Sequence, residues 1–501
     1  MASVKKRYEG TRWSIVYGSN SDIELNVELH ALIELQRIVQ IYLPYVLEVR
    51  LATNEIGQSD DNIILVGTCT NNHLIRELSE KKQINIPNES QGYTIKCCNS
   101  PWNDRTRLVV IAGSDSRGVL YGVNDFNSRV LTAESMPRKL MYKAKLREPF
   151  DNLKDFTVSE YPLIENRGIW TWGYVIYDYR RFLNNMARLN MNIVTIWNDC
   201  VPLNCKEIID HAHSRGIKVI LGFHWGWGKD YDMANPEHRQ QIKEDVIRTY
   251  TQEYRGLGMD GIYFQTLTEH QNLELSGKSV AAIACDMVND ISSKLFSIDP
   301  DLYIQFGIHA TSIVENYPDL KPLDPRITIV WEDAGLIPYT YEPLTEKEFA
   351  KEQVLPQCID TQERTISYSK QLAAFRNKTE FAIVAKGWSY LNWEDEFENH
   401  KNFILGERDP SFIKKRLDGM QPGWDMVNAL WWKNYPHAMR FYREMLECSH
   451  SAMTITGLVE DGMFEEVIQP SVALFAEMLW NPRRNQEEIL QRAMNPYYRM
   501  Y

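Results

Sequence analysis

Beyond residue 160, short apolar runs alternate regularly with segments in which apolar residues recur every three or four positions. The first pattern is typical of strands buried on both faces, and the second of helices with one buried face. The predicted strands are residues 167–172, 193–197, 218–223, 261–266, 303–308, 327–331, 381–385 and 453–458. A helical pattern follows each strand, at 178–189, 205–214, 236–254, 279–296, near 313, and at 365–376, 410–447 and 472–479. Eight such units predict an α/β fold with a (β/α)8 TIM barrel over residues 151–501. An open doubly wound sheet is the alternative.

The first 150 residues show a different pattern. Strand-like runs at 13–17, 62–67, 93–98 and 108–112 accompany a helical segment at 27–41, which predicts a small α/β sandwich domain over residues 1–150. Prolines and charges without clear periodicity predict a linker at 137–162.

Charge and cysteine usage narrow the possible partners. The 501 residues contain 55 Lys and Arg against 67 Asp and Glu, a net charge of −12, which disfavours nucleic acid as a partner. No apolar run is long enough to span a membrane, and no export signal precedes the first domain, so a cytoplasmic protein without membrane contact is predicted. Eight scattered cysteines indicate free thiols. Neither a metal site nor a cofactor is predicted.

Tryptophans cluster near the carboxyl ends of the predicted strands. These ends converge on one face of a barrel, where active sites are built. Indole packs against the apolar faces of sugar rings and donates a hydrogen bond, so this pattern predicts a carbohydrate-binding cleft. The eight residues are Trp170, Trp172, Trp197, Trp225, Trp227, Trp331, Trp388 and Trp393.

Carboxylates follow several of the same strands. Hydrolysis of a glycosidic bond requires an acid that protonates the leaving oxygen and usually a second carboxylate that attacks or activates water. Glu269 ends the fourth strand and is the predicted general acid, although a glutamate there could instead cap the next helix. Glu332 and Asp333 follow the sixth strand, and alternation should point only one of them inward. A salt bridge or a turn is the alternative for this pair, and Asp199 and Glu460 are alternative carboxylates.

Further polar side chains at the same face are predicted to contact the substrate. Histidines there could bond sugar hydroxyls or carry protons, and Lys386 could pair with an acid or receive a substrate carboxylate. With the acids and rings above, the predicted substrate-binding residues are Trp172, Trp197, Asn198, Asp199, His224, Trp225, Gln265, His270, His309, Trp331, Lys386, Trp388 and Glu460.

The layout resembles a group of glycoside hydrolases. Residues 111–126, IAGSDSRGVLYGVNDF, end the first domain, and NRGIW at 166–170 opens the barrel, as in α-glucuronidases and β-N-acetylhexosaminidases that share this accessory domain. The hexosaminidases have an adjacent Asp-Glu pair after strand four, where this chain has Thr268 and Glu269. The α-glucuronidases are the closer resemblance, which implies an inverting enzyme with Glu269 as acid and a base at Glu332 or Asp333.

These observations predict an exo-acting glycoside hydrolase that removes a terminal sugar, such as a uronic acid, from an oligosaccharide. A β-N-acetylhexosaminidase-like hydrolase, a non-catalytic carbohydrate-binding protein on the same scaffold, and an isomerase or lyase acting on sugar acids are the alternatives. The aromatic-rich segment 410–447 is a candidate homodimer surface.

Overall fold

A computed structural model describes most of the chain. The described residues are 11–18, 25–53, 56, 60–131, 150, 153–226, 229–265, 268, 272–332, 359, 361–376, 380–388, 402–448, 453–459 and 463–495. They form two compact units. One comprises residues 1–162, 214–216 and 494–501, and the other comprises 163–213 and 217–493.

The first unit is built on a six-stranded sheet in the order β2-β1-β3-β5-β4-β6. Its strands are β1 (Trp13–Tyr17), β2 (Glu48–Leu51), β3 (Asn62–Thr68), β4 (Tyr93–Asn99), β5 (Arg107–Gly113) and β6 (Phe156–Glu160). β4 is antiparallel to both of its neighbours, and the remaining pairs are parallel. The helices are α1 (Leu25–Gln40), α2 (His73–Glu80) and α3 (Ser116–Phe126).

The glycine-rich turn between β5 and α3 connects the strand to the helix through close backbone packing. Asp115 caps α3 by accepting a hydrogen bond of 2.8 Å from the backbone N–H of Gly118. A Cβ at Gly118 would lie 2.1 Å from the carbonyl oxygen of Gly92, so only glycine permits this close approach. The motif therefore joins a strand to a helix.

β6 lies inside the segment that the sequence predicts to be a linker. Its residues alternate between half-buried and exposed positions, and it pairs with β4 as an edge strand. Only one face of the strand contacts the unit, so its apolar residues are few and its charges resemble those of a linker.

The second unit contains a closed barrel, which confirms the predicted fold class. The strands follow the order β10-β13-β14-β15-β16-β7-β8-β9, and each pairs in parallel with both neighbours. They are β7 (Asn166–Trp172), β8 (Ile193–Trp197), β9 (Lys218–Gly222), β10 (Gly261–Gln265), β13 (Ile304–Ile308), β14 (Ile327–Trp331), β15 (Phe381–Trp388) and β16 (Met453–Val459). The short hairpin β11 (Glu274–Leu275) and β12 (Lys278–Ser279) follows β10.

Helices accompany the barrel strands. They are α4 (Tyr179–Arg188), α5 (Cys205–His213), α6 (Pro236–Thr249), α7 (Val280–Ile298), α8 (Ala310–Ile313), α9 (Gln362–Phe375), α10 (Pro410–Cys448), α11 (Met463–Glu466), α12 (Pro470–Trp480) and α13 (Gln486–Ala493). Asp178, Asn235 and Ser279 cap α4, α6 and α7 with their side chains. Among the residues described, no helix is both long and apolar enough to cross a membrane.

The barrel interior is filled by side chains. One buried cluster contains residues of six strands, among them Trp170, Trp197, Tyr263, Val330 and Val384. At the amino ends of the strands the filling is polar, because Glu380 accepts hydrogen bonds from Tyr303 at 2.9 Å and Thr454 at 2.8 Å. The interior is thus apolar in its middle and polar at the amino ends of the strands.

Candidate active site at the carboxyl end of the barrel

Glu332 directly follows β14 and is the best-defined carboxylate of the predicted site. Val330, two residues earlier, belongs to the interior cluster, so strand alternation places Glu332 on the same side. The residue is only 5% exposed, and its backbone N–H donates to the carbonyl of Ile308 at 3.1 Å. Glu332 is thus a buried acid held at the end of a strand.

Two further predicted residues lie beside Glu332. His309 follows β13, is 6% exposed, and places its Nε2 3.9 Å from Glu332 Oε2. Gln265, at the end of β10, forms a hydrogen bond through its Nε2 with the same imidazole nitrogen. Three neighbouring strands therefore bring an amide, an imidazole and a carboxylate into one row.

Tyr263 lies close to this row and is not among the residues predicted from the sequence. It lies two positions before Gln265, is fully buried, and belongs to the interior cluster. A Cβ at Gly307 would lie 2.1 Å from the Tyr263 hydroxyl and 2.7 Å from Glu332 Oε1. The alternation of Gly261, Tyr263 and Gln265 along β10 was the available signal, because it places all three on one side of the strand.

An aromatic wall adjoins this row. The half-buried ring of Trp172 lies edge-on to Trp170 and Trp197, with centroids 5.1 and 5.7 Å away, and stacks on Tyr174 at 5.9 Å. Trp197 is 5% exposed and fills the barrel below. Trp172 is therefore the most exposed of these three indoles.

Asp199 and His224 lie together at a second position, beside α6. They line a cavity of about 220 Å³ with Lys229, Tyr231 and Asp245. Burial lowers the pKa of His224 below its usual value of 6.5, while the Asp199 carboxylate opposes that shift. The imidazole is therefore neutral at pH 7 and can accept a hydrogen bond.

Three of the predicted substrate-binding tryptophans pack away from the barrel interior. Trp331 is fully buried edge-on against Tyr368 of α9, and Trp388 stacks on Trp431 of α10 with centroids 4.1 Å apart. Trp225 stacks on Phe264 at 3.5 Å. The physical reason is alternation: Trp331 must point outward because Glu332 points inward, and an irregularity between Ala385 and Trp388 changes the phase of β15.

The other predicted residues have varied positions. Asn198 is 3% exposed, with its amide packed against Gly173. Lys386 is half-buried and lies two residues beyond the interior Val384 on β15. Glu269, His270, Asp333 and Glu460 lie outside the described residues, as do Trp227 and Trp393.

Within the described ranges, no three His, Cys, Asp or Glu side chains come together as a metal ion would require. The fold and these residues together define a (β/α)8-barrel protein with a buried carboxylate, an imidazole and a half-buried indole at the carboxyl end of the barrel.

Comparisons with known proteins find one matching family model and similar solved structures of low sequence identity. Residues 35–127 match the family model described as S-layer like family, outer domain, which covers part of the first unit. A comparison with curated proteins finds no match. Among solved structures, the protein CpGH84D is 13% identical with a TM-score of 0.42, over 97% of this chain and 89% of that one. The β-N-acetylhexosaminidase from Bacteroides fragilis NCTC 9343 is 11% identical with a TM-score of 0.47, over 98% and 91%. Neither of these two structures is named as an α-glucuronidase.

Proposed function

We propose that the chain is a glycoside hydrolase that removes a terminal sugar from an oligosaccharide at the carboxyl end of its barrel. The observation that carries the proposal is the position of Glu332, a carboxylate that is only 5% exposed and lies beside His309. It lies at the mouth of the barrel, the end at which the carboxyl ends of the strands meet and which also carries the ring of Trp172. A buried acid among aromatic rings is the environment in which carboxyl groups perform acid-base chemistry on sugars.

Two carboxylates share the proposed reaction. Glu332 attacks the anomeric carbon or activates a water molecule, and Glu269, at the end of the fourth strand by sequence, protonates the leaving oxygen. Asp333 is the alternative partner. Carboxyl groups roughly 6.5 to 9.5 Å apart leave room for water and invert the anomeric centre, whereas about 5 Å leads to retention.

The remaining residues of the mouth suit a sugar. Trp172 offers an apolar face, and Gln265 and His309 offer hydrogen-bonding groups from adjacent strands. Lys386 adds a positive charge on the strand beside Glu332, which favours a substrate that carries a carboxylate, such as a uronic acid. We therefore expect Lys386→Met to raise KM for a uronide more than for the matching neutral glycoside.

The hexosaminidase-like alternative is less well supported by the fourth strand. The Asp that orients an acetamido group in those enzymes corresponds to Thr268 here. Thr268 is fully buried and donates through Oγ1 to the carbonyl of Gly307 at 3.2 Å. Its hydroxyl is thus engaged within the fold.

The decisive experiment compares two glutamates of the same barrel. Glu332→Gln should lower kcat on a responsive chromogenic glycoside by about 10²- to 10⁴-fold, because the amide cannot act as a base or nucleophile. Glu380→Gln is the matched control, since Glu380 lies inside the barrel at the opposite end, and it should retain turnover. NMR of the released sugar reports its anomeric configuration.

Other results would identify the competing functions. Saturable sugar binding without product from any glycoside of a broad panel would indicate a carbohydrate-binding protein. An unsaturated or rearranged sugar would indicate a lyase or an isomerase. Full turnover by Glu332→Gln would remove Glu332 from the mechanism.

A further inference from the structure

The hydroxyl of Tyr263 is a buried polar group that the proposed reaction does not yet use. Tyr263 is fully buried inside the barrel, and its hydroxyl has no hydrogen-bond partner among the described residues. Burying a hydroxyl without a partner costs free energy, and phenylalanine would fill the same space without that cost. Such a group in a catalytic barrel calls for a functional explanation.

Neighbouring rings fix the direction of this hydroxyl. The Tyr263 ring lies edge-on to Trp170 and Trp197, with centroids 5.7 and 5.8 Å away and interplanar angles of 80° and 76°. Both indoles are themselves buried, so the phenol cannot swing to another position without repacking the interior.

Because Gly307 has no side chain, no atoms of residue 307 separate a side chain of β10 from the carboxylate after β14. The Tyr263 hydroxyl on β10 and Glu332 Oε1 after β14 both border the point where a Cβ of residue 307 would lie, at 2.1 and 2.7 Å from it. Gly307 belongs to β13, the strand between them. Any larger residue would separate the hydroxyl from the carboxylate.

We propose that Tyr263 is a positioning residue for Glu332, whose hydroxyl donates a hydrogen bond to Glu332 Oε1 when a ligand occupies the mouth. Catalytic hydrogen bonds are commonly long in an empty site and shorten in the complex. The bond holds the carboxylate in one orientation and stabilises its ionised form. This inference rests on the proposed function, because it gives Tyr263 a part in the same reaction.

Other titratable groups lie on the strands around Glu332. His309 lies beside it on the β13 side, and Lys386 lies on β15, whose register places Ile383 opposite Trp331. Either group would favour the ionised carboxylate when it carries a positive charge, so the effect of Tyr263 must be separated from theirs. His309→Gln and Lys386→Met are therefore measured alongside, and Tyr263→Phe is also made in each of those backgrounds.

The test is the pH dependence of kcat in Tyr263→Phe, because kcat reports the pKa values of the enzyme–substrate complex, in which the bond is proposed to form. Loss of a hydrogen bond to the ionised carboxylate should move the acid limb of the profile to higher pH by about one unit. Tyr303→Phe is the matched control, because that buried barrel tyrosine donates to Glu380 at the opposite end. It should leave the acid limb in place.

A merely structural role gives a different result. If Tyr263 only fills space, Tyr263→Phe has the wild-type acid limb, and that outcome overturns the proposal. Under either role, Tyr263→Phe should unfold at or above the wild-type temperature, because phenylalanine buries no unpaired hydroxyl.

A second measurement keeps the inference separate from the proposed activity. Protein labelled with 13C at the glutamate carboxyl carbons is titrated by NMR, with Glu332→Gln assigning the resonance. Since the bond is proposed for the occupied mouth, the titration uses protein saturated with the sugar that binds best, or with 1 M glucose when none is known. A midpoint that rises in Tyr263→Phe supports the contact even if no glycoside is hydrolysed, and an unchanged midpoint rejects it even if the enzyme is active.

Discussion

His224 illustrates how a single residue acquires its chemistry from its surroundings. Its Nδ1 is buried without a hydrogen-bond partner in the described part of the chain, and the imidazole lines the cavity beside α6. Burial lowers its pKa, and Asp199 acts in the opposite direction. Because the folded state prefers the neutral imidazole, the unfolded state binds the proton first as the pH falls below 6.5. Stability from this group is therefore complete above pH 6.5 and lost below it.

An NMR titration of the His224 ring protons tests this account. The midpoint should lie below 6.5 in the folded protein, and Asp199→Asn should lower it further by removing the opposing charge. His224→Gln assigns the resonance. A midpoint above 6.5, or an upward shift in Asp199→Asn, would contradict the burial argument.

At the same scale, adjacent residues can have opposite roles. Trp331 and Glu332 are neighbours in sequence, yet one packs against α9 and the other lies beside His309 in the mouth. Alternation along β14 already implies this separation. The sequence contains this constraint, because two adjacent residues of a strand point to opposite sides.

At the scale of elements, α12 and α13 are joined by a buried cluster of charges. Glu477 Oε2 accepts from Arg484 at 2.9 Å and from Arg492 at 2.8 Å, and all three side chains are largely buried. Arg167 on β7 lies over the ring of Trp480 at the end of α12. The cluster thus holds the last two helices where α12 meets the barrel.

Removing the shared carboxylate should be costly. Glu477→Ala removes the buried carboxylate that two guanidinium groups share, and we expect a loss of about 3 to 5 kcal/mol in the free energy of unfolding. Glu488→Ala is the control, because Glu488 is 40% exposed and contacts the same Arg484 at 3.3 Å. It should cost no more than about 1 kcal/mol. Urea denaturation followed by tryptophan fluorescence compares them, and equal losses would contradict the prediction.

The elements themselves were largely predictable. Each predicted barrel strand overlaps an observed one, because a strand buried on both faces is a local apolar run with its own boundaries. β6 was missed for the opposite reason: an edge strand with one contacting face carries too few apolar residues to be distinguished from a linker.

At the scale of the whole molecule, three cysteine thiols lie deep in the core. Cys97, Cys205 and Cys285 are almost completely buried. Burial raises their pKa values to about 11, 12 and 11, so their thiolate fractions at neutral pH are very small.

The alkylation rate of each of these cysteines measures how far burial lowers the reactivity of its thiol. Iodoacetamide at pH 7.5 should modify Cys97, Cys205 and Cys285 far more slowly in the native protein than in guanidinium chloride, as read by peptide mass spectrometry. The unfolded sample is the control for intrinsic reactivity. Equal native and unfolded rates at any of the three would show that the surrounding core opens readily.

The sequence by itself determined the α/β alternation, the eight-strand barrel and the face on which polar residues gather, because periodicity and strand ends are local properties of the chain. Only the tertiary structure decided which tryptophans face the mouth and which face the helices. It also brought Tyr263 and Glu332 to the same point above Gly307, although 69 positions separate them in the chain. Such proximity depends on how the strands of a closed barrel are staggered against one another, and no local pattern of the sequence carries that information.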